Sequence, residues 1–228
     1  MTDLDEVTVT CAICGRLSQQ RIVFSTSIFG SPDLDLRPPP LKRQTIAYWV
    51  QECPHCRYTA ADISHAESRA REFLRSDGWK ALRLSAPARS RSLSELFLVH
   101  SAIQEAIGDL EESAFAALHA AWAADDRGDQ STAKSSRRIA ADLFERAFSQ
   151  GEINSAEEKT IRFILVDILR RAQYWDEAIK CCQQIEAAHS DSTMQRLLQY
   201  QLHLCEARDA MCYDLDSAKE FAKRQSAG

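Results

Sequence analysis

Two Cys-x-x-Cys pairs constrain this chain more than any other feature of its sequence. The first pair runs from Cys11 to Cys14 and the second from Cys53 to Cys56, with 38 residues between them. A tight turn at such a pair directs both sulfur atoms to one point, and four thiolates in a tetrahedron suit Zn²⁺. The separation exceeds the ~15–20 residues of compact zinc ribbons, which indicates an inserted loop over residues 25–44. We therefore predict a structural Zn²⁺ with all four cysteines as ligands.

Other uses of these cysteines fit the sequence less well. A thioredoxin-type dithiol needs one pair at a helix N-terminus, whereas both pairs here follow strand-like runs. The chain opens with acidic residues rather than a basic, apolar secretory signal, and no stretch approaches the roughly 18 apolar residues of a membrane helix. These features predict a cytoplasmic protein with no membrane partner, in which thiols stay reduced. Four thiolates also leave no open position for a catalytic water.

The remaining cysteines and histidines are interpreted as structural. His55 and His65 lie close to the second pair, where a surface or capping role is expected and replacement of a ligand is the alternative. Four cysteines fall in predicted helices as buried small hydrophobes: Cys181, Cys182, Cys205 and Cys212. Four more histidines stand isolated on predicted helices, without an acid, base or nucleophile nearby in sequence: His100, His119, His189 and His203.

The chain divides at about residue 60 into two parts of different character. Residues 1–60 contain five of the six prolines. They also contain β-branched and aromatic runs that predict strands at 7–10, 45–51 and, less strongly, 21–24. Residues 61–228 read as helices almost throughout. We predict an α+β, mostly α protein, with a zinc-ribbon-like module over 1–60 and a helical domain over 61–228.

Start and stop signals place the helices of the second part. Ser92 and Glu95 have capping-box spacing, as do the pairs that begin at Asp109, Ser155 and Ser192. Glycines follow several apolar-periodic segments, where left-handed C-terminal caps belong: Gly78, Gly108, Gly128 and Gly151. The signals predict helices at 62–77, 92–107, 109–127, 131–150, 155–172, 175–189, 192–212 and 215–225.

The helices show a spaced pattern of small and large residues. Ala140, Phe144 and Ala147 share one face of a helix, and Ala178, Cys182 and Ile185 repeat the spacing 38 positions later. Ala218 and Ala222 begin a shorter third copy 40 positions further on. A tetratricopeptide repeat (TPR) has a period of 34 residues. The pattern predicts TPR-like antiparallel helix pairs, either an α-solenoid or a closed bundle, with a non-repetitive bundle as the alternative.

The N-terminal part resembles an uncharacterised bacterial family, domain of unknown function 2225. The resemblance rests on Cys11-Ala-Ile-Cys14, on the acidic, proline-containing stretch Ser31-Pro-Asp-Leu-Asp-Leu-Arg37, and on Tyr48-Trp-Val-Gln-Glu-Cys53-Pro-His-Cys56-Arg-Tyr58. It covers about residues 7–62, with a TPR-like helical tail to follow. Arg57 stands where the family usually has glycine after the second pair. The family has no established activity, so the resemblance implies the metal site and the architecture.

Three classes of function remain open. The first is a protein-interaction adaptor that binds partners in a helical groove. Its predicted partner-binding residues are Asp33, Asp35, Arg37, Trp49 and Tyr58, with a solvated connector as the alternative for that loop. The second is a nucleic-acid-binding ribbon that uses Arg16, Arg21, Lys42, Arg43 and Arg57. Residues 1–60 carry six basic and six acidic side chains and the whole chain a net charge of −5, which argues against strong phosphate binding. The third is an enzyme, but no catalytic motif stands out, so we predict a non-enzyme without catalytic residues.

Overall fold

The computed structural model describes residues 2–84, 91–188 and 192–226. Two antiparallel strand pairs occupy the N-terminal part, and helices make up almost all of the rest. The strands are β1 (Thr2–Thr10), β2 (Leu17–Thr26), β3 (Gln51–Glu52) and β4 (Thr59–Ala60). The helices are α1 (Pro40–Arg43), α2 (Ser68–Phe73), α3 (Asp77–Leu84), α4 (Leu93–Ile107), α5 (Leu110–Asp126), α6 (Gln130–Gln150), α7 (Ser155–Arg171), α8 (Trp175–Ala188), α9 (Ser192–Glu206) and α10 (Leu215–Ser226). The predicted class, mostly α with a small β part, is confirmed.

The strands form two separate hairpins. β1 pairs with β2 from Thr10↔Leu17 at the closed end to Thr2↔Thr26 at the open end, and the register shifts between Asp3 and Leu4. The predicted strands at 7–10 and 21–24 are confirmed and lengthened. β3 and β4 make a much shorter hairpin of two residue pairs, Gln51↔Ala60 and Glu52↔Thr59.

The predicted strand at 45–51 is wrong for most of its length. Ile46–Tyr48 form a 3₁₀ turn, and only Gln51 belongs to a strand. Ile46 and Val50 are both buried in the larger helical cluster. Thr45 stabilises the turn because its hydroxyl donates to the Lys42 carbonyl (2.7 Å) and accepts from Trp49 Nε1 (2.8 Å). Tertiary burial therefore overrides the β propensity of this run.

Most helix signals hold, with local corrections. Ser92 and Glu95 form a full capping box, and Gly108 and Gly151 end their helices with left-handed φ. Of the predicted helix 62–77, Ser68–Phe73 form α2, and α3 begins only at Asp77. The Ser76 hydroxyl accepts from Trp79 N (3.2 Å) at the start of α3. Gly78 lies inside α3, so its prediction as a C-terminal cap is wrong. Asn154, one residue before Ser155, caps α7. His189 lies outside the described residues, as does the side chain of Ser192.

The helix predicted at 192–212 ends early, at Glu206. The buried guanidinium of Arg170 donates to the backbone carbonyls of Asp209 and Met211 (2.9 Å for Met211), which holds this segment in an irregular conformation. Arg208 adopts a left-handed φ of 52°. Cys212 therefore lies in the α9–α10 loop and not in a helix.

Consecutive helices pack against each other from α4 to α10, and α7 also contacts α9. The small-large-small residues face inward: Ala140, Phe144, Ala147, Ala178, Cys182 and Ile185 are at most 2% exposed. This burial explains the pattern, because small residues let neighbouring helices approach closely. A true TPR-type repeat stays a prediction.

The buried residues form two clusters, and each contains residues from both sides of the predicted boundary at residue 60. The larger cluster belongs to α4–α10 but also contains Leu34, Ile46 and Val50 from the N-terminal part. The smaller cluster joins Cys11 and Cys53 to residues of α2, α3 and α4. Each of the two predicted parts thus contributes to the core of the other, and the boundary itself stays a prediction.

Candidate metal centre

Each cysteine pair occupies the turn of a hairpin. Cys11 follows the last residue of β1, and Cys14 lies three residues before β2. Cys53 follows β3, and Cys56 lies three residues before β4. The strands thus hold the two turns close together, although 38 residues separate the two cysteine pairs in sequence.

The two turns have the same backbone hydrogen bonds. The N–H of Cys11 donates to the Arg16 carbonyl (3.0 Å), and that of Gly15 donates to the Cys11 carbonyl (2.9 Å). In the second turn Cys53 N donates to Tyr58 O (2.8 Å), and Arg57 N to Cys53 O (2.9 Å). The residue four positions after the first cysteine is left-handed in both, with φ of 69° at Gly15 and 68° at Arg57. Arg57 therefore takes the same left-handed conformation in the second turn as Gly15 takes in the first.

The four sulfur atoms converge as predicted. All lie within 4.8 Å of one another. Cys11 Sγ is 3.6 Å from Cys56 Sγ, and Cys14 Sγ is 3.6 Å from Cys53 Sγ. Four Zn–S bonds of about 2.3 Å in a tetrahedron would place the sulfurs about 3.8 Å apart. The donor set and its spacing fit a four-coordinate metal ion.

Burial and backbone amides act in opposite directions on these thiols. Burial raises the pKa of Cys11 and Cys56, although the amides of Cys14 and Ile13 lower it at Cys11. Burial would raise the pKa of Cys14 too, but the amide of Arg16 and the other sulfurs bring it below its usual value. A metal ion must displace the thiol protons to bind, so binding releases protons and depends on pH.

The centre is anchored to the helical part by its surroundings. Ala12 N donates to Ile63 O (2.8 Å), and Ile63 N donates to the buried side chain of Gln51 (3.1 Å). The Tyr58 hydroxyl donates to His65 O (2.9 Å). Cys11 and Cys53 are at most 1% exposed and pack with apolar residues of α3 and α4. Cys11 and Cys53 are thus enclosed by protein, while Cys14 lies at the surface.

The four cysteines form the only group of three or more close metal-ligating side chains among the described residues. His65 is exposed and pairs with Asp62 (3.0 Å), and His55 Nε2 lies 3.3 Å from the Leu17 carbonyl. Cys181, Cys182 and Cys205 are buried in helices as expected, whereas Cys212 is exposed.

The five predicted partner-binding residues do not form an exposed patch. Asp33, Asp35, Arg37 and Tyr58 are at most 5% exposed, and Trp49 is half-buried. Tyr58 packs with the metal centre, whereas Trp49 packs with the larger helical cluster. Partner recognition by these residues stays a prediction. Most of them are buried, where their side chains take part in packing or in ionic contacts within the chain.

Asp35 is the centre of a buried ionic network. Its Oδ2 accepts from Trp122 Nε1 (2.8 Å) and from Arg171 (3.2 Å), with Arg137 at 3.8 Å. Burial would raise the pKa of Asp35, but Arg171 and Arg137 lower it below its usual value. Asp125 binds the same two arginines. Sequence reasoning missed this network because its members lie about 90 to 136 positions from Asp35, and no local pattern joins them.

A second feature that sequence reasoning did not locate is a groove along α6, α7 and α8. Two adjoining cavities of about 540 and 310 Å³ share Glu145 and Gln184. We call this feature the central groove. Among the described side chains its lining is balanced in charge, with four acidic and four basic residues: Asp142, Glu145, Glu158, Glu177, Arg138, Lys159, Arg162 and Lys180.

Two of the five cations expected to bind nucleic acid are engaged within the chain. Arg43 pairs with Asp33 (2.6 Å) and Arg57 with Glu52 (3.1 Å). No helix among the described residues combines the length and apolar composition needed to cross a bilayer.

Comparison with models of protein families matched residues 4–204 to a family described as "Uncharacterized protein conserved in bacteria (DUF2225)". The match confirms the family resemblance of residues 7–62 and extends it through α8 and most of α9. Comparisons with curated proteins and with solved structures gave no match.

Proposed function

The chain belongs to the DUF2225 family of uncharacterised bacterial proteins, and we propose that it is a zinc-stabilised, non-enzymatic adaptor that binds a protein partner in the central groove. A cytoplasmic location is part of the proposal, because the metal site requires reduced thiols.

Zinc is proposed from the donor set. Four thiolates are soft ligands that favour Zn²⁺ or an iron centre over the hard cations, and closed four-sulfur sites are typical of structural zinc. Such an ion would hold the two hairpin turns together and fix the N-terminal module against α4. No ligand position is left for substrate, so the ion has a structural role.

The central groove is the observation that carries the adaptor function. Three consecutive helices line it, as in helical-repeat proteins that bind peptides or helices along a concave surface. Ion pairs within the groove, such as Arg162–Glu158 (2.8 Å) and Arg138–Asp142 (3.2 Å), hold its charged side chains in place. Nucleic-acid binding receives less support, since ion pairs neutralise Arg43 and Arg57.

The test is affinity purification of the tagged chain from a bacterial host that carries it. The groove variant is Glu145→Lys with Gln184→Lys, and the control is Gln19→Lys with Glu206→Lys, which alters exposed positions outside the groove and changes the net charge equally. We expect mass spectrometry to identify a protein retained by the wild type and the control but lost from the groove variant. Identical protein sets for both variants, or none above background, would refute the adaptor function.

A further inference from the structure

A second groove lies between the N-terminal half of α9 and the middle of α10. Its volume is about 530 Å³, and Leu197, Ala218 and Ala222 form its apolar floor. Arg196, Lys219 and Lys223 line its rim. We call this feature the terminal groove. It opens to solvent along its side, so a small ligand would remain largely uncovered there.

The charge of the terminal groove sets it apart from the central groove. Its described lining contains three cations and no acidic residue. Lys219 pairs with Asp216 (2.7 Å), but Arg196 and Lys223 form no ion pair with any other described residue. This is a local excess of positive charge on a chain whose net charge is −5. Two unpaired cations at one rim attract an anionic partner.

The spacing of the floor residues favours a helical partner. Ala218 and Ala222 are one helical turn apart and belong to the small-residue pattern seen at Ala140 and Ala178. Ala140 and Ala178 are fully buried, on helices that pack against a neighbour on each side. Among the described helices α10 packs extensively against α9 alone, and Ala222 is only partly buried. A partner helix packed against Ala222 would cover this face of α10, as a neighbouring helix covers the corresponding faces of α6 and α8.

We propose that the terminal groove binds an acidic amphipathic helix of a partner protein. Apolar residues of that helix, spaced i, i+3, i+4, would contact Leu197 and Ala222. Its carboxylates would pair with Arg196 and Lys223 at the rim. The inference rests on the adaptor function proposed above and adds a second site with a stated partner chemistry.

The probe is a displayed library of random 16-residue peptides, selected on the full chain after depletion on an Arg196→Glu, Lys223→Glu variant. We expect the enriched peptides to carry net negative charge with apolar residues at helical spacing. A synthetic copy of the best peptide should bind the variant at least tenfold more weakly in fluorescence anisotropy. Its counterpart with lysine at each acidic position should bind the variant better than the wild type. No enrichment, enrichment of neutral or basic peptides, or binding within twofold between wild type and variant would overturn the proposal.

Two controls keep these outcomes interpretable. Both altered residues are exposed, so circular dichroism should show unchanged helicity in the variant. Arg75→Glu with Lys134→Glu makes the same change in net charge at exposed positions outside the groove and should retain peptide binding.

Other occupants would overturn the assignment in a recognisable way. Self-association that the charge reversal abolishes would assign the groove to a second copy of the chain. Sedimentation with phosphatidylglycerol vesicles, lost in the variant, would assign it to a membrane surface. Failure at the terminal groove leaves the adaptor function standing if the central-groove variant still loses its partner.

Discussion

At the scale of single residues, each turn that holds a cysteine pair depends on the left-handed conformation of one residue. Gly15 and Arg57 are both left-handed, and both donate a backbone hydrogen bond to the first cysteine of their pair. Glycine adopts this conformation without strain, whereas arginine does so at a cost of about 1 kcal/mol or more. An ion pair between Arg57 and Glu52 offsets part of that cost at the second turn.

Arg57→Gly and Arg57→Ala separate these two effects, because both lose the ion pair but only glycine relieves the strain. We expect the glycine variant to be more stable than the alanine variant by about 1 kcal/mol in urea unfolding of the metal-loaded chain. Gly15→Ala is the matched control, since nothing lies within 4 Å of the added Cβ and the loss should come from strain alone. Equal stability of the two Arg57 variants would contradict this account.

His119 makes stability depend on pH. Burial among Trp49, Phe97 and Trp122 lowers its pKa to about 4. In the unfolded chain the pKa is about 6.5, so the unfolded state binds more protons between these values. The folded state therefore loses stability as the pH falls from 6.5 towards 4. His119→Phe should remove about 2 kcal/mol of that loss between pH 6.5 and 4.5. The measurement is urea unfolding of both proteins at both pH values, and parallel pH profiles would contradict it.

The sequence predicted the convergence of four cysteines but not the contacts of many other residues. The spacing of Cys11, Cys14, Cys53 and Cys56 was enough for this prediction, because each Cys-x-x-Cys turn is local. Asp33, Asp35 and Arg37 looked like loop residues available to a partner, since nothing nearby in sequence indicates burial. Asp35 and Arg37 contact side chains about 90 to 136 positions away, and Asp33 contacts both nearby Arg43 and distant Cys212.

At the scale of elements, the segment 32–37 connects the α9–α10 loop with α5, α6 and α7. We call this segment the strap. Its backbone pairs with the α9–α10 loop, through Leu34 N to Tyr213 O and Leu215 N to Pro32 O (both 2.9 Å). The carboxylate of Asp35 is buried against the helices, where it forms ion pairs with Arg137 and Arg171. This segment belongs to the inserted loop predicted over residues 25–44, although Pro40–Arg43 of the same range form α1. Helix caps were also predictable because they are local, whereas the turn at 46–48 and the early end of α9 depend on tertiary contacts.

Asp35→Asn keeps the shape of the strap and removes its buried charge. Arg137 and Arg171 would then share only Asp125 as a charged partner, and loss of one member of a buried ion pair typically costs about 3–5 kcal/mol. We expect urea unfolding to show a loss of about 3 kcal/mol. The control is Asp216→Asn, an exposed residue paired with Lys219, which should cost at most about 0.5 kcal/mol. A change below about 1 kcal/mol for Asp35→Asn would show that the network contributes little net stability.

At the scale of the whole molecule, each of the two buried clusters contains residues from both sides of the predicted boundary at residue 60. A cut at residue 60 would remove Leu34, Ile46 and Val50 from the helical core. It would also separate Cys11 and Cys53 from Ile63, Trp79 and Ile103, with which they cluster. The composition shift at residue 60 marks a change of secondary structure and says little about which residues pack together.

The arrangement of these clusters determines what metal removal should do. All four ligands belong to the two hairpins, and the smaller cluster connects them to α2, α3 and α4. The larger cluster, which includes α5–α10, contains no ligand. Cys53→Ser removes a fully buried sulfur and should release the ion. The hairpins should then loosen while α5–α10 keep their helicity, because the four cysteines lie in the hairpin turns and the larger cluster contains none of them.

Three measurements test this prediction on the full chain. Elemental analysis should find one zinc per wild-type chain and none bound to Cys53→Ser. Circular dichroism at 222 nm should retain most of its helical signal, and amide hydrogen exchange should quicken in 2–26 and 51–65 far more than in α5–α8. Cys212→Ser is the matched control, since Cys212 is exposed and outside the centre, and it should keep the metal. Retention of zinc by Cys53→Ser would exclude this cysteine as an essential ligand. Collapse of the whole helical signal would show that both clusters unfold as one cooperative unit, with the metal supporting the entire chain.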